Sequence, residues 1–143
     1  MQHAATPALA SELDARLIAL WRAVGRRGYG GLSRTAASVL AALRDGGPQR
    51  VTVLATAESV AQPSMTTLLS RLERDGLVAR GPDPADARAV LATITAEGLE
   101  RLSTIRAARA AVIEARLAEL DPEDRDALAA AVPALAKLTG EIV

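Results

Sequence analysis

Residues 62–95, QPSMTTLLSRLERDGLVARGPDPADARAVLATIT, restrict the fold of this chain more than any other stretch. Met65, Leu68, Leu69 and Leu72 fall at i, i+3, i+4 and i+7, the spacing that puts them on one stripe of an α-helix. Pro63 suits the first helical position, where its missing donor has no intrahelical acceptor, and Gly76 suits the stop. Residues 77–80 and 89–95 then read as two short strands, with Val90, Leu91 and Ile94 as the apolar members of the second. A helix followed at once by a hairpin is the order of a groove-reading helix with a β-wing behind it.

The residues before this helix fit the same reading. A short helix over residues 51–57 packs Val51, Leu54 and Ala55 inward, although Arg50 at its cap position is a poor capping residue. Short helix, tight turn and second helix make a helix-turn-helix, whose second member enters a major groove of double-stranded DNA. Its outer face carries Ser64, Thr67, Ser70, Arg71 and Arg74, with Gln62 and Thr66 near the N-terminal end. Arginine pairs bidentately with guanine or sits on phosphate, and small hydroxyl side chains let the helix come close. The same spacing also fits an ordinary amphipathic helix with a solvated side, and it is the following hairpin that favours DNA. Residues 81–88, GPDPADAR, exceed a minimal hairpin turn and read as an exposed wing loop. Arg88 near its tip suits the narrow, electronegative minor groove, and Asp86 is placed to hydrogen-bond that guanidinium and fix its direction. The competing reading is a surface ion pair worth ~0–1 kcal/mol.

Flanking segments are helical and apolar. Leu9, Leu13, Leu17, Leu20, Trp21 and Val24 line one stripe of a first helix, which Gly25, Gly28, Gly30 and Gly31 end. Ser33 is a good N-cap for a second helix with Ala36, Val39, Leu40 and Leu43 on its buried face, closed by the sequence Asp45-Gly46-Gly47-Pro48. Thr95 caps a long helix whose stripe runs from Leu99 to Leu120. Asp121-Pro122 starts a final one carrying Leu128, Val132, Leu135, Leu138 and Ile142, with Pro133 expected to kink or break it. The fold class is therefore mainly α: a winged helix-turn-helix of about six helices plus a two-stranded β-wing. Residues 1–31 form an N-terminal dimerisation helix and glycine-rich turn, residues 32–95 the DNA-binding domain, and residues 96–143 the C-terminal dimerisation helices. The terminal helices are more apolar than the small reading domain can cover, which calls for a homodimer presenting two reading units to one duplex.

Formal charge balances, 17 basic against 17 acidic residues, but its distribution does not. Between Arg16 and Arg44 lie six arginines and no acid, whereas the C-terminal end is acidic. One end can face a phosphate backbone, and Ser33 and Arg34 at the start of the second helix join the candidate DNA contacts. No apolar run approaches the ~18 residues of a membrane span, and no signal peptide is legible, so a cytoplasmic location is expected. The absence of cysteine removes thiolate chemistry, and a single histidine, His3, has no second His or Cys with which to share a metal. No nucleophile–base pair, carboxylate pair or glycine-rich phosphate loop is legible. No enzyme activity, cofactor or metal is expected.

The run Met65-Thr66-Thr67-Leu68-Leu69-Ser70-Arg71-Leu72-Glu73-Arg74-Asp75-Gly76-Leu77-Val78 resembles the MarR family of bacterial winged-helix transcriptional regulators. The wing ending Asp86-Ala87-Arg88-Ala89-Val90 and the segment Ile94-Thr95-Ala96-Glu97-Gly98 fit the same pattern. The resemblance implies a homodimer, joined through the first and last two helices, that binds a pseudo-palindromic operator, most often as a repressor. It also implies a small, often anionic aromatic effector bound between the dimerisation helices and the reading domain. Here such a pocket would draw on Leu17, Trp21, Arg22 and Tyr29, with Arg26 as a second carboxylate partner, although Trp21 on its apolar stripe reads more readily as core. Three positions depart from the family pattern: Ala87 replaces the first of two basic wing residues, Thr67 stands where many relatives have arginine, and Arg50 stands where Ser or Thr is common. Fewer arginines and zero net charge leave one alternative in view, a winged-helix module that binds protein and not DNA.

Overall fold

The computed structural model describes residues 5–140, so His3 and Ile142 lie outside the described residues. In chain order it comprises α1 (Ala5–Val24), a 3-10 turn (Arg26–Tyr29), α2 (Arg34–Gly46), β1 (Gln49–Arg50), α3 (Val51–Ala57), α4 (Gln62–Arg74), β2 (Val78–Asp83), β3 (Asp86–Ile94), α5 (Ala96–Ala118) and α6 (Pro122–Leu138). The chain divides after Arg109, within α5, into two compact units.

In the first unit the apolar stripes of α2, α3 and α4 converge. Leu40, Leu43, Leu54, Met65, Leu69 and Leu72 are essentially inaccessible to solvent, and Val78, Ala92 and Leu102 close the same cluster. The Ser33 hydroxyl oxygen caps α2 by accepting from the Ala36 amide at 3.1 Å, and Gly47 takes φ 71° at the other end. Between α3 and α4 the chain reverses at Ser59, whose φ of 54° lies in the left-handed region. Gly76, with φ 77°, turns α4 into the sheet, and the Leu77 carbonyl oxygen then accepts from the Thr95 amide.

The sheet differs from the expected two-stranded wing in two ways. It has three antiparallel strands in the order β1-β3-β2, because Gln49 and Arg50 pair with Ala92 and Leu91. The hairpin is also tighter than its sequence suggests. Pairing continues from Val78↔Ile94 through Pro82↔Val90 to Asp83↔Asp86, so the turn contains only Pro84 and Ala85. Two physical facts permit this. Pro82 lacks an amide donor, and β2 is an edge strand, where such a loss is tolerated. The Asp83 carboxylate then closes the turn by accepting from the Ala85 amide at 2.9 Å.

Thr95 begins α5 as the sequence indicates. Its Oγ1 accepts from the Gly98 amide at 3.0 Å and donates to the Gly76 carbonyl at 2.6 Å, tying the helix start to the turn after α4. The α1 stripe is helical but mostly uncovered: Val24 is buried, while Leu9, Leu17, Leu20 and Trp21 are exposed. In the second unit Asp121 caps α6 by accepting from the Asp124 amide at 2.9 Å. Helix α6 continues past Pro133 without a break and has no buried residue, with Leu128, Val132, Leu135 and Leu138 all open to solvent.

Candidate nucleic-acid interface

Helix α4 presents the residues read from sequence on its open side. Gln62, Ser64, Thr66, Thr67, Arg71 and Arg74 are exposed, and Ser70 is half-buried. The apolar side of the same helix is fixed by Met65 and Leu69, both fully buried, so the polar face cannot rotate away. Three of its hydroxyls are already committed as donors: Thr66 to the Gln62 carbonyl at 3.0 Å, Thr67 to the Pro63 carbonyl at 3.0 Å, and Ser70 to the Thr66 carbonyl at 2.9 Å. Each hydroxyl oxygen is therefore left with acceptor capacity only, beside the methyl group that each threonine carries. That combination suits the exocyclic amines of cytosine and adenine and the methyl group of thymine. The charged donors on this face are Arg71 and Arg74, which have no carboxylate partner among the described residues.

The wing stands beside the N-terminal half of α4. A cleft of about 350 Å³ brings Gln62 and Thr66 of α4 together with Arg50, Arg80, Asp86 and Arg88. Of its three arginines two are occupied. Arg80 is paired with Glu73, and Arg50 is paired with Asp83, Nη2 to Oδ2 at 2.7 Å. Arg88 is exposed and has no carboxylate partner among the described residues. Asp86 acts on it differently from the sequence expectation: its Oδ1 accepts from the Arg88 backbone amide at 3.0 Å and not from the guanidinium. The tight turn explains this, because Asp86 opens β3 and its short side chain meets the amide two residues on. Asp86 thus sets the backbone of Arg88 and leaves the guanidinium free.

Asp83, which was not singled out in the sequence, is the one buried charged or polar residue among the described residues. Hydrogen bonding from the Ala85 amide, and then from Arg50, holds its carboxyl below the ordinary carboxylate value, while burial pushes the other way. The signal was present in the anomaly at Arg50. That residue makes no side-chain cap to α3, and its Nε instead donates to Asp83 Oδ2 at 2.7 Å.

Ser33 and Arg34 are not part of this cleft. Both line a second cavity, of about 670 Å³, with Ile18, Trp21, Arg22 and Tyr29. Arg34, Trp21 and Tyr29 also line a neighbouring cavity of about 440 Å³, where Arg44, Arg106 and Arg109 join them. Leu17, 46% exposed, lines neither of these two cavities; Ile18 is the residue of that turn of α1 that does. Trp21 is 40% exposed in the single chain, so it is not part of the buried core of this unit, contrary to its reading as core. Tyr29 is buried, its ring centroid 6.2 Å from that of Trp21 and 5.4 Å from the Arg109 guanidinium carbon. Arg44 is engaged by Asp45, whose carboxyl is held low chiefly by that hydrogen bond.

The family model described as MarR family matches residues 32–90, from the α2 cap to the wing. An HTH-type transcriptional regulator of Mycobacterium tuberculosis is 34% identical over 134 residues, covering 93% of this chain and 94% of the relative. The chain belongs to the MarR family. Its backbone agrees with this membership over nearly its whole length. A transcriptional regulator of Pseudomonas aeruginosa superposes with a TM-score of 0.74 at 32% identity, covering 94% of this chain and 95% of that one. The YusO protein of Bacillus subtilis does so with a TM-score of 0.71 at 26% identity, covering 92% and 96%. As a MarR-family helix-turn-helix protein the chain is a DNA-binding transcription regulator, and the comparisons favour this over a protein-binding module. Among the described residues no helix is long and apolar enough to cross a membrane, and no cluster of His, Cys, Asp or Glu could hold a metal.

Proposed function

We propose that the protein is a homodimeric repressor that binds a pseudo-palindromic operator in double-stranded DNA and is released by a small anionic aromatic effector. The observation that carries the DNA part is the cleft joining the polar face of α4 to the Arg88 wing, with Arg71, Arg74 and Arg88 all uncommitted. In this reading α4 lies in the major groove, where Arg71 and Arg74 donate to bases or phosphates and Gln62, Ser64, Thr66, Thr67 and Ser70 complete the contact face. Arg88 enters the adjacent minor groove on a backbone set by Asp86. Ser33 and Arg34 lie at the exposed start of α2 and add phosphate contacts.

Dimerisation is supported by apolar surface that each unit leaves open: Leu9, Leu17, Leu20 and Trp21 on α1, and Leu128, Val132, Leu135 and Leu138 on α6. Residues 1–31 and 96–143 would then serve assembly and residues 32–95 recognition, in the cytoplasm where the operator is. Effector binding is supported by the cavities around Trp21 and Tyr29, which combine two aromatic rings with Arg22, Arg34, Arg106 and Arg109. Arg34 belongs to this cavity and to the proposed phosphate contacts, so a bound anion would compete for the same cation.

A fluorescence anisotropy titration, against a duplex enriched from a random pool by the protein itself, tests the DNA reading. Tight binding that weakens steeply with salt is expected. Binding that is no stronger than to scrambled duplex of the same composition would contradict it.

A further inference from the structure

Arg50 occupies a position where a MarR-family chain commonly has Ser or Thr, and the structure shows what the arginine does there. It leaves α3 without a side-chain cap and spans the sheet instead. Arg50 is in β1 and pairs with Leu91 of β3, which in turn pairs with Gly81 of β2. Its guanidinium passes beyond that row to Asp83, the last residue of β2, with Nε and Nη2 each 2.7 Å from Oδ2. Two strand spacings of roughly 4.8 Å lie between the outer strands, within reach of an extended arginine.

Asp83 is where the hairpin register shifts, and its other oxygen holds the Ala85 amide at 2.9 Å. Directly after the turn, Asp86 holds the Arg88 amide. A continuous chain of contacts therefore runs from the start of α3, through the wing turn, to the backbone of the one uncommitted arginine in the cleft. We propose that Arg50 is a positioning residue for DNA binding: with Asp83 it straps the wing tip to the base of the helix-turn-helix and so presents Arg88 at a fixed place relative to α4. The strap substitutes rigidity for the second wing cation that Ala87 lacks. It rests on the DNA-binding reading above and adds a role for a pair that touches no base.

The test removes the strap without changing net charge. Arg50→Ser combined with Asp83→Asn keeps an acceptor for the Ala85 amide and gives α3 a serine cap, so the fold should be retained, which far-UV circular dichroism checks. Affinity for the duplex enriched by the wild-type protein is then measured for wild type, the strapless double variant, Arg88→Ala, and the triple variant. A positioning role predicts that the strapless variant binds roughly tenfold more weakly, and that this loss largely disappears in the Arg88→Ala background, since the two changes act through one contact. It also predicts that the strapless and triple variants each lose no more than the single ~0.9 of salt slope that Arg88 supplies. Additive losses would overturn the proposal, with a further fall in salt slope marking Arg50 as a phosphate contact itself. Unchanged affinity of the strapless variant would overturn it too, while leaving the DNA reading intact. A wild-type protein that enriches no duplex would remove both.

Discussion

At the residue scale the chain relies on few cations used separately. Arg88 is free at the wing, Arg71 and Arg74 are free on α4, and Arg50 and Arg80 are spent on Asp83 and Glu73. Arg88→Ala should weaken binding to the enriched duplex and lower the salt slope by ~0.9, because one cation that displaces counterions from the minor groove is lost. Arg71→Ala should in addition relax sequence preference, at a cost of about 1–3 kcal/mol against the preferred base. Competition titrations with single-base variants of the duplex distinguish the two outcomes. For Asp83, the folded protein holds the carboxyl below its unfolded value of about 3.9. Its contribution to stability is therefore complete above that value and is lost as the pH falls through the depressed folded one. The melting temperature of Asp83→Asn should lie below that of the wild type near neutral pH, and the gap should close in strong acid. A gap that widens in acid would contradict this assignment. The exposed candidates on α4 were legible in the sequence because helical spacing fixes which residues lie opposite Met65 and Leu69. Asp83 was not, because a strap between β1 and the wing turn joins positions 33 residues apart, and no local pattern encodes that.

At the element scale, local rules were enough wherever one turn of chain decides the outcome. The Ser33, Thr95 and Asp121 caps and the Gly47 and Gly76 stops follow from nearest neighbours, whereas α4 starts one residue before the expected Pro63, at Gln62, with Ala61 at its cap position. The wing was harder. Its proline and aspartate content reads as loop, yet the residues pair because β2 is an edge strand and Asp83 satisfies the turn internally. Strand β1 is two residues long and exists only because β3 offers it a partner. The joint between the wing and α5 is the tightest of these connections. A Cβ on Gly98 would stand 2.2 Å from the Leu77 carbonyl oxygen and 2.7 Å from Ile94 Cγ1. Alanine favours a helix over glycine by about 1 kcal/mol, but overpacking costs about 1–3 kcal/mol, and here the obstacle is backbone. Gly98→Ala should thus destabilise by up to about 2 kcal/mol in urea unfolding, whereas a stabilised variant would mean that α5 starts with more freedom than its contacts indicate.

On the scale of the whole molecule, the two units differ in what they finish by themselves. Residues up to Arg109 close a core around α2, α3, α4 and the sheet, while α6 buries none of its side chains. Apolar periodicity in the sequence is the same in both cases, which is why the α1 stripe reads as core although only Val24 among its large residues is fully covered. A second copy is the cover the proposal assigns. Val132→Asp changes a residue 60% exposed in the single chain, so it should leave helicity intact and shift the protein from dimer to monomer in sedimentation velocity. Persistence of the dimer would place the interface elsewhere. Two-fold reading of double-stranded DNA is measured most directly by selecting bound duplexes from a random pool and sequencing them. Two inverted half-sites are expected, with centres about 10 base pairs apart, one helical turn or a multiple of it. Enrichment of a single asymmetric site, or of no sequence at all, would contradict it.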